Sequence, residues 1–499
     1  RDNVYWLTYG EADVLRVTER DGTPQSASTP AYYPEQRDFE QDIVYMSQMP
    51  GDDDLERYYW NFVRPTVNLV PKSWTYSFTL PAPYITAAAT VKIRLFGFIE
   101  SSINTDHHVV LTINDVQVGD TTWDGISWHE FEAIIPANTL RASPETNILK
   151  VTCPNDTGVG YDVVVIDKFL LNYSKIFITE NDELPFTTPE AGTWLYQVNG
   201  FTTDQGLAVF DVTTPEAVVQ IINPVVSSVS PYSLQFSDAT TGEARYWATN
   251  TARFRQVQGI ESDVDTTSNL GMIENGADHL VISHSNFLTS AQRLSDFRAS
   301  KGLRAQTVDV QDVYDEFNFG IVDPAAIRNF LEFAYSSWQP PAPSYVVLVG
   351  DGHYDPKNYL GFGRTNYIPA FLTFSDPWIG ETATDNRYVT LAGADNLPDM
   401  MLGRLAVNSE NEADAFINKI IDYESNPVSG DWQARVLAVA DDADTGGDFA
   451  QISKALLTEL LPSTYQLQEV YYGKTHSVVS EAQAAIQRAI NDGVLIVNY

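Results

Sequence analysis

The 499-residue chain holds one cysteine, Cys153. A lone cysteine closes no internal disulfide, so the stability of the fold rests on packing. Cys153 ends the alternating run Leu149-Lys150-Val151-Thr152-Cys153, which reads as a strand with the thiol on its buried face. Basic residues are scarce as well. Against 66 Asp and Glu stand 30 Lys and Arg, a formal charge of −36. Nucleic-acid affinity depends on Lys and Arg contacts to phosphate, so that partner is excluded. The negative field suits solubility, a calcium-rich medium or a basic substrate. No stretch reaches the ~18 uninterrupted apolar residues of a membrane span. The first residues, Arg1 to Trp6, lack the basic-then-apolar pattern of a secretory leader, so any signal peptide is expected to be already gone.

What is present is apolar and aromatic. At 43% hydrophobic and 12% aromatic residues, the chain can fill the cores of roughly three or four domains. Residues 1–54 read as a β-rich N-terminal segment, placed as the end of a preceding β domain. Residues 55–178 read as strand after strand: Trp74 to Leu80, Val91 to Phe96, Val109 to Ile113 and Val163 to Ile166. Short strands split by Pro, Asn, Asp and Gly indicate a jelly-roll-like β-sandwich. Asn114-Asp115 is expected to turn a hairpin inside it. Residues 179–270 form a second β domain or linking sheet, with strands around Trp194 to Val198 and Ala208 to Val212.

The pattern changes in residues 271–499. Short apolar strands at His279 to Ser283, Ala305 to Val310, Tyr345 to Val349, Val436 to Ala440 and Val494 to Val497 alternate with amphipathic helices. One helix starts at Asp323 as N-cap with Pro324 at its first position. It places Ile327, Phe330, Leu331 and Ala334 on one face. Another opens with the capping box Ser409-Glu410-Asn411-Glu412 and carries the stripe Ala413, Phe416, Ile417, Ile420 and Ile421. Further helices are expected at Phe449 to Leu461 and Glu481 to Ile490. Buried strands alternating with helices imply a parallel α/β sheet covered on both faces.

In such sheets ligands bind beyond the carboxyl ends of the strands. There the chain places Gly350-Asp351-Gly352-His353-Tyr354-Asp355, and Asp441 to Asp448 with Gly446 and Gly447. Three readings stand side by side: solvated acidic loops, a structural calcium site at Asp442 and Asp444, and an active-site edge. His353 is read as structural, and His284 and His476 lack a nameable partner. His107 and His108 are adjacent in a strand and face opposite ways, which argues against a joint metal site. Trp74, Trp123 and Trp128 are candidates for stacking on a glycan, with core packing as the plainer role. Asn155-Asp156-Thr157 and Asn172-Tyr173-Ser174 match the glycosylation pattern.

Several segments in order resemble the gingipain family of cysteine peptidases, relatives of the caspases. They are Tyr345 to Asp355, Tyr367-Ile368-Pro369-Ala370, Glu381 to Tyr388, and Pro398-Asp399-Met400-Met401-Leu402-Gly403-Arg404-Leu405. Lys419 to Glu424, Val439-Ala440-Asp441-Asp442 and Val497-Asn498-Tyr499 complete the series. The resemblance implies a caspase-like α/β peptidase domain over 271–499, incomplete at its C-terminal end. It implies a catalytic His and Cys beyond Tyr499, with Asp441, or alternatively Asp442, orienting that His. It implies that Asp448 lines the pocket for a basic substrate residue. No cofactor is implied for catalysis.

The function so implied is a secreted or cell-surface bacterial cysteine endopeptidase that cuts proteins or peptides after Arg or Lys. Its His and Cys would lie beyond Tyr499, either in a continuation of the same chain or in a C-terminal chain of the same precursor separated by autoprocessing. One alternative is a sortase-like transpeptidase of a type IX secretion system, which shares the domain. Another is a non-enzymatic surface or filament protein on an inactive peptidase fold.

Overall fold

A computed structural model describes residues 16–52, 55–65, 71–188, 190–260 and 269–499; Arg1 to Trp6 lie outside them. The chain forms two compact units, Arg1–Ser285 with Val308–Asn408, and Asn286–Thr307 with Ser409–Tyr499.

The first unit opens with a β-sandwich. One antiparallel sheet orders Ser127–Ile135, Ala89–Gly97, Val164–Lys175 and Tyr33–Glu40; the other orders Lys72–Thr79, Thr146–Cys153, His107–Ile113 and Val116–Trp123. Alternation drives the arrangement. Val91, Ile93 and Leu95 from one sheet meet Val109, Leu111, Ile113, Leu149 and Val151 from the other in a single core. The hairpin turns at Asn114-Asp115, both at positive φ (49° and 66°), the conformation a two-residue turn requires to match strand twist. Gly97 marks a close approach: a Cβ there would sit 2.3 Å from Nε2 of His107.

A second β region follows. Thr18–Asp21, Val219–Ile222, Leu207–Asp211, Ala244–Asn250 and Glu183–Thr188 form one sheet; Gly192–Phe201, Tyr232–Thr240 and Val225–Val226 form another. Tyr33, Phe186, Tyr196, Phe236 and Tyr246 fill the core between them. The described residues ahead of 55 therefore feed both β regions rather than closing a preceding domain. Thr18–Asp21 joins the second region, whereas Tyr33–Glu40 pairs with Val164–Lys175 of the sandwich.

The helices, in chain order, are α1 (Leu288–Ser300), α2 (Val310–Asn318), α3 (Pro324–Ser337), α4 (Glu410–Ser425), α5 (Phe449–Leu460) and α6 (Val479–Asp492). In the first unit His279–Ser283, Tyr345–Val349 and Met401–Leu405 pair in parallel. Asp323 caps α3 by accepting the Ala325 amide at 2.7 Å. Ile327, Phe330, Leu331 and Ala334 are buried against Leu280, Ile282, Val346 and Leu348. Sequence reading did not anticipate α2, because it ran the preceding strand on to Val310. Asp309 ends that strand and caps α2 instead, and Val313 and Tyr314 turn inward. The β-rich residues are tied to this part by a buried pair. Arg57 donates to Glu381 (2.8 Å), whose other oxygen accepts Tyr45 Oη (2.7 Å).

In the second unit Arg435–Ala440 is the central strand, flanked in parallel by Gln466–Tyr471 and Ile496–Asn498. The last strand starts two residues later than the expected Val494. Ser409 caps α4 through the Glu412 amide. Ala413 and Ile417 of the expected stripe are buried, but Phe416 is 41% exposed. The α4 contact face is narrower because α1 approaches it partly through polar groups: Asp414 takes Ser290 and Arg293, and Glu424 takes Arg298.

Candidate active-site edges

The second unit gathers its polar residues where its parallel strands end. After Ala440, Asp441 and Asp442 are exposed, and Asp441 Oδ1 accepts the Asp442 amide at 2.9 Å. Asp444 accepts the Gly446 amide at 2.7 Å and closes a turn with Gly447. Asp448 caps α5 by accepting the Gln451 amide (3.1 Å). The neighbouring strand Gln466–Tyr471 runs into a loop that folds over this edge. Tyr472 N donates to Ala440 O (2.9 Å), and Gly473, at φ +75°, leaves no room for a Cβ beside Asp442. That packing delivers Lys474 Nζ to Asp448 Oδ2 at 2.9 Å. The ammonium first, then the Gln451 amide, hold the Asp448 carboxyl below the usual carboxylate range. His476, whose ring meets Thr475 Oγ1 at 3.0 Å, lies in the same loop.

The first unit has its own edge after Tyr345–Val349. Asp351 accepts the Gly352 amide and the Asn408 side chain. Asp355, 2% exposed, accepts the amides of Tyr359 (2.7 Å) and Leu360 (2.8 Å). His353 Nδ1 accepts the Asp355 amide at 3.0 Å, and the ring lies over Tyr354. His284 packs edge-on against Tyr367. These groups stabilise their own loop.

Arg404 binds the segments together. Its guanidinium grips both oxygens of Asp385 (2.8 Å each) and also donates to the carbonyls of Gly350 (3.0 Å) and Ile368 (2.8 Å). Four separate segments thus converge on one half-buried cation.

A family model for peptidase family C25 matches residues 273–499. The matched part, the C25 region, is 227 of the 499 residues. The fold likeness of the C25 region and the β regions together is to latent PorU from Porphyromonas gingivalis. That match has TM-score 0.57 and 17% identity, and covers 84% of this chain and 40% of that one. The Arg-specific proteinase gingipain R is matched over 45% of this chain and 46% of its own, at 23% identity and TM-score 0.34. An uncharacterised protein of Archaeoglobus fulgidus is 25% identical over 165 residues, 31% of this chain and 36% of that protein. The chain thus spans less than half the length of each of these relatives.

Within the C25 region, Asp441, Asp442 and Asp448 fall at one strand edge. The candidate calcium pair offers little. Asp444 spends one oxygen on its own turn, whereas calcium takes six to eight oxygen ligands. Among the described residues no group of three or more His, Cys, Asp or Glu is arranged for a metal. No described helix is long and apolar enough to cross a membrane.

Outside the C25 region the candidate groups are consumed by packing. Cys153 is fully buried, and burial pushes its thiol far up, which removes it as a nucleophile. Trp123 lies between the rings of His107 (4.8 Å) and His129 (4.5 Å), Trp74 packs on Trp60, and the Arg94 guanidinium covers Trp128 at 3.9 Å. Both faces of Trp123 are thus covered, while Trp74 and Trp128 are half-buried in packing contacts. Asn155 is 6% exposed, too buried for glycan attachment, whereas Asn172 is exposed. His107 and His108 do face opposite ways: one meets Asp162 inside the sandwich, the other Asp156 and Asp120 outside.

Sequence reading missed the roles of Arg404 and Lys474. The signal for Arg404 was its place in one family-like segment and that of Asp385 in another. Nothing local in Gly473-Lys474-Thr475 announced Lys474.

Proposed function

We propose that the chain carries the cleft scaffold of a secreted or cell-surface bacterial cysteine endopeptidase that cuts after Arg or Lys. The supporting observation is the placement of Asp441 and Asp448 on one parallel-strand edge within the C25 region. The single cysteine of these 499 residues is buried in the sandwich. The reading therefore assigns the nucleophilic Cys and its His partner to residues outside them, in a chain held beside Ile496–Asn498. Asp441 accepts from that imidazole and orients it, so that the His draws the proton from the thiol and the thiolate attacks the scissile carbonyl. Asp448 receives the cationic side chain that precedes the scissile bond. Lys474 occupies that carboxylate in the free protein. An exposed ion pair is weak, and an arriving Arg can replace it with a bidentate contact.

Intact-mass analysis and peptide mapping of the purified protein test the assignment. A bound second chain bearing Cys and His, with hydrolysis of Arg- and Lys-containing peptides that is lost in Asp441→Ala, supports it. If the full gene product carries no such pair, the inactive-scaffold reading replaces it. The sortase-like alternative draws on the fold likeness extending over the β regions. It predicts a requirement for a defined cargo tail together with an amine acceptor.

A further inference from the structure

The last strand of the second β region ends at Asn250, and the C25 match begins at residue 273. Between them, residues 251–260 are exposed at every position. Thr251–Arg253 make one short turn, capped by the Asn250 side chain on the Ala252 amide. The Phe254 amide closes that turn on the Thr251 carbonyl at 3.1 Å. The Phe254 ring leans on Phe210 (6.0 Å) and Trp247 (5.9 Å). The chain is therefore anchored as far as Phe254. Beyond it, among the described residues, no main-chain group from Arg255 to Ile260 makes a hydrogen bond.

Two arginines stand in this segment, Arg253 and Arg255, and among the described residues neither holds a carboxylate. Arg20, Arg37, Arg293 and Arg298 each do. A peptidase takes its substrate extended and unbonded, so folded segments must first open locally before they are cut. At Arg253–Phe254 the amide that would leave is already bonded and its ring is anchored. At Arg255–Gln256 neither restraint applies. The rival Arg364 lies in a run of only five exposed residues, 361–365. That run is pinned, because the Gly363 amide donates to the Asn358 side chain (2.8 Å) and the Tyr367 amide to the Asp351 carbonyl (3.1 Å). Lys474 is held in a turn whose amides, from Lys474, Thr475 and His476, all meet the Tyr471 carbonyl.

We propose that Arg255–Gln256 is a processing site for an endopeptidase of basic specificity, and that the cut leaves the β regions docked on the C25 region. The step is a hydrolysis. The C–N bond breaks, water supplies the new oxygen of the Arg255 carboxylate, and its two protons complete the Gln256 ammonium. Docking survives because the contacts between the two parts lie far from the cut, within one compact unit. Arg57, its side chain fully buried, holds Glu381 at 2.8 Å. Tyr58 Oη donates to the Tyr354 carbonyl (2.8 Å), the Glu381 amide donates to the Ser47 carbonyl (2.8 Å), and Tyr45 stacks on Tyr354 at 4.7 Å. The proposal stands on the geometry of the segment and is independent of the peptidase reading. The cutter is either the full gene product itself or a separate enzyme of the same specificity.

Limited digestion of the purified protein with trypsin, followed by intact mass and size exclusion, tests the site. The first cut is expected after Arg255, at least about tenfold faster than at any other Lys or Arg, with both fragments eluting together at the parent volume. Arg255→Gln should slow that first cut about tenfold and melt like the parent, since the residue is exposed. Peptide mapping of the protein isolated from its native host should find a natural N-terminus at Gln256. Incubation of the full gene product alone separates the two sources. The same fragments then make it its own processor, and an uncut chain assigns the cut to another enzyme. The proposal is overturned if trypsin cuts first elsewhere, if Arg255→Gln leaves the first cut unslowed, if the fragments part on size exclusion, or if the protein from its native host is whole across residues 255 and 256.

Discussion

The β-sandwich and the second unit treat the same residue types in opposite ways. In the sandwich, Trp, His, Asp and Cys face one another: Trp60, Trp123, His107, Asp162 and Cys153 are each under 9% exposed. In the second unit the reactive types are at the surface. Asp441, Asp442, Asp444 and Lys474 are exposed, and α5 turns Ile452, Leu456 and Leu460 outward at 60%, 46% and 67%. Residue chemistry alone therefore does not mark a site. A Trp-His-Asp constellation in a closed sandwich is packing, whereas a sparse set of carboxylates at parallel-strand ends stays available to a ligand.

The sharpest way to break this contrast is a matched pair of substitutions. Phe169 is fully buried and packs on Trp60 and Phe39. Phe169→Ala is expected to cost about 3–5 kcal/mol in chemical denaturation. Ile452→Ser on the outer face of α5 should change stability by less than about 0.5 kcal/mol. Equal losses would mean that the α5 face is as tightly packed as the sandwich. Next in size is Arg404. The pair is half-buried, with Asp385 at 27% exposed, but Arg404 also holds the Gly350 and Ile368 carbonyls, so Arg404→Ala should cost about 1.5–3 kcal/mol. Arg404→Lys should recover only part of it, because an ammonium cannot grip both Asp385 oxygens while reaching the Gly350 and Ile368 carbonyls. A full rescue by Lys would reduce the hub to a point charge.

Legibility in the sequence followed the same divide. The sandwich strands, the Asn114-Asp115 turn and the caps at Asp323 and Ser409 are local signals, carried by alternation, turn chemistry and N-cap chemistry. Most appear in the structure within a residue or two, although the strand expected at Val163 to Ile166 runs on to Lys175. α2 escaped because Val310 continues an apolar strand pattern and only the Asp309 cap redirects the chain. Partner choice was invisible. Arg404 finds Asp385, and Lys474 finds Asp448, only after loops distant in sequence have folded together. For the tryptophans the sequence left stacking on a glycan and core packing both open for a related reason: aromatic type is local, but ring-face accessibility depends on what His129 and Arg94 do.

A smaller effect separates the regions by pH. Burial alone would lower the His107 pKa, but the hydrogen bond and charge of Asp162 outweigh it and raise the value. A raised folded pKa contributes stability that is complete below the unfolded value of about 6.5 and is lost as pH rises through the folded value. Near-UV circular dichroism of the melting sandwich should therefore show Tm falling from about pH 6.5 upward, with His107→Gln flattening the slope. A wild-type Tm that stays level or rises over that range contradicts a charged His107–Asp162 pair.

The smallest effect probes the proposed cleft directly. Asp448 is held below the ordinary carboxylate range first by Lys474 and then by the Gln451 amide. Lys474→Ala removes the larger influence and leaves the helix cap. The Asp448 carboxyl should then titrate at higher pH by carbon-detected NMR, with no measurable change in melting, because an exposed ion pair contributes little to stability. If Asp448 also serves as the receptor for a substrate cation, the same variant frees that carboxylate. Arginine amides should then bind more tightly, with the gain erased by Asp448→Asn. An upward titration shift without any gain in affinity would leave Asp448 as a helix cap alone. The second unit's edge would then resemble the sandwich interior, with its polar groups committed to their own loops.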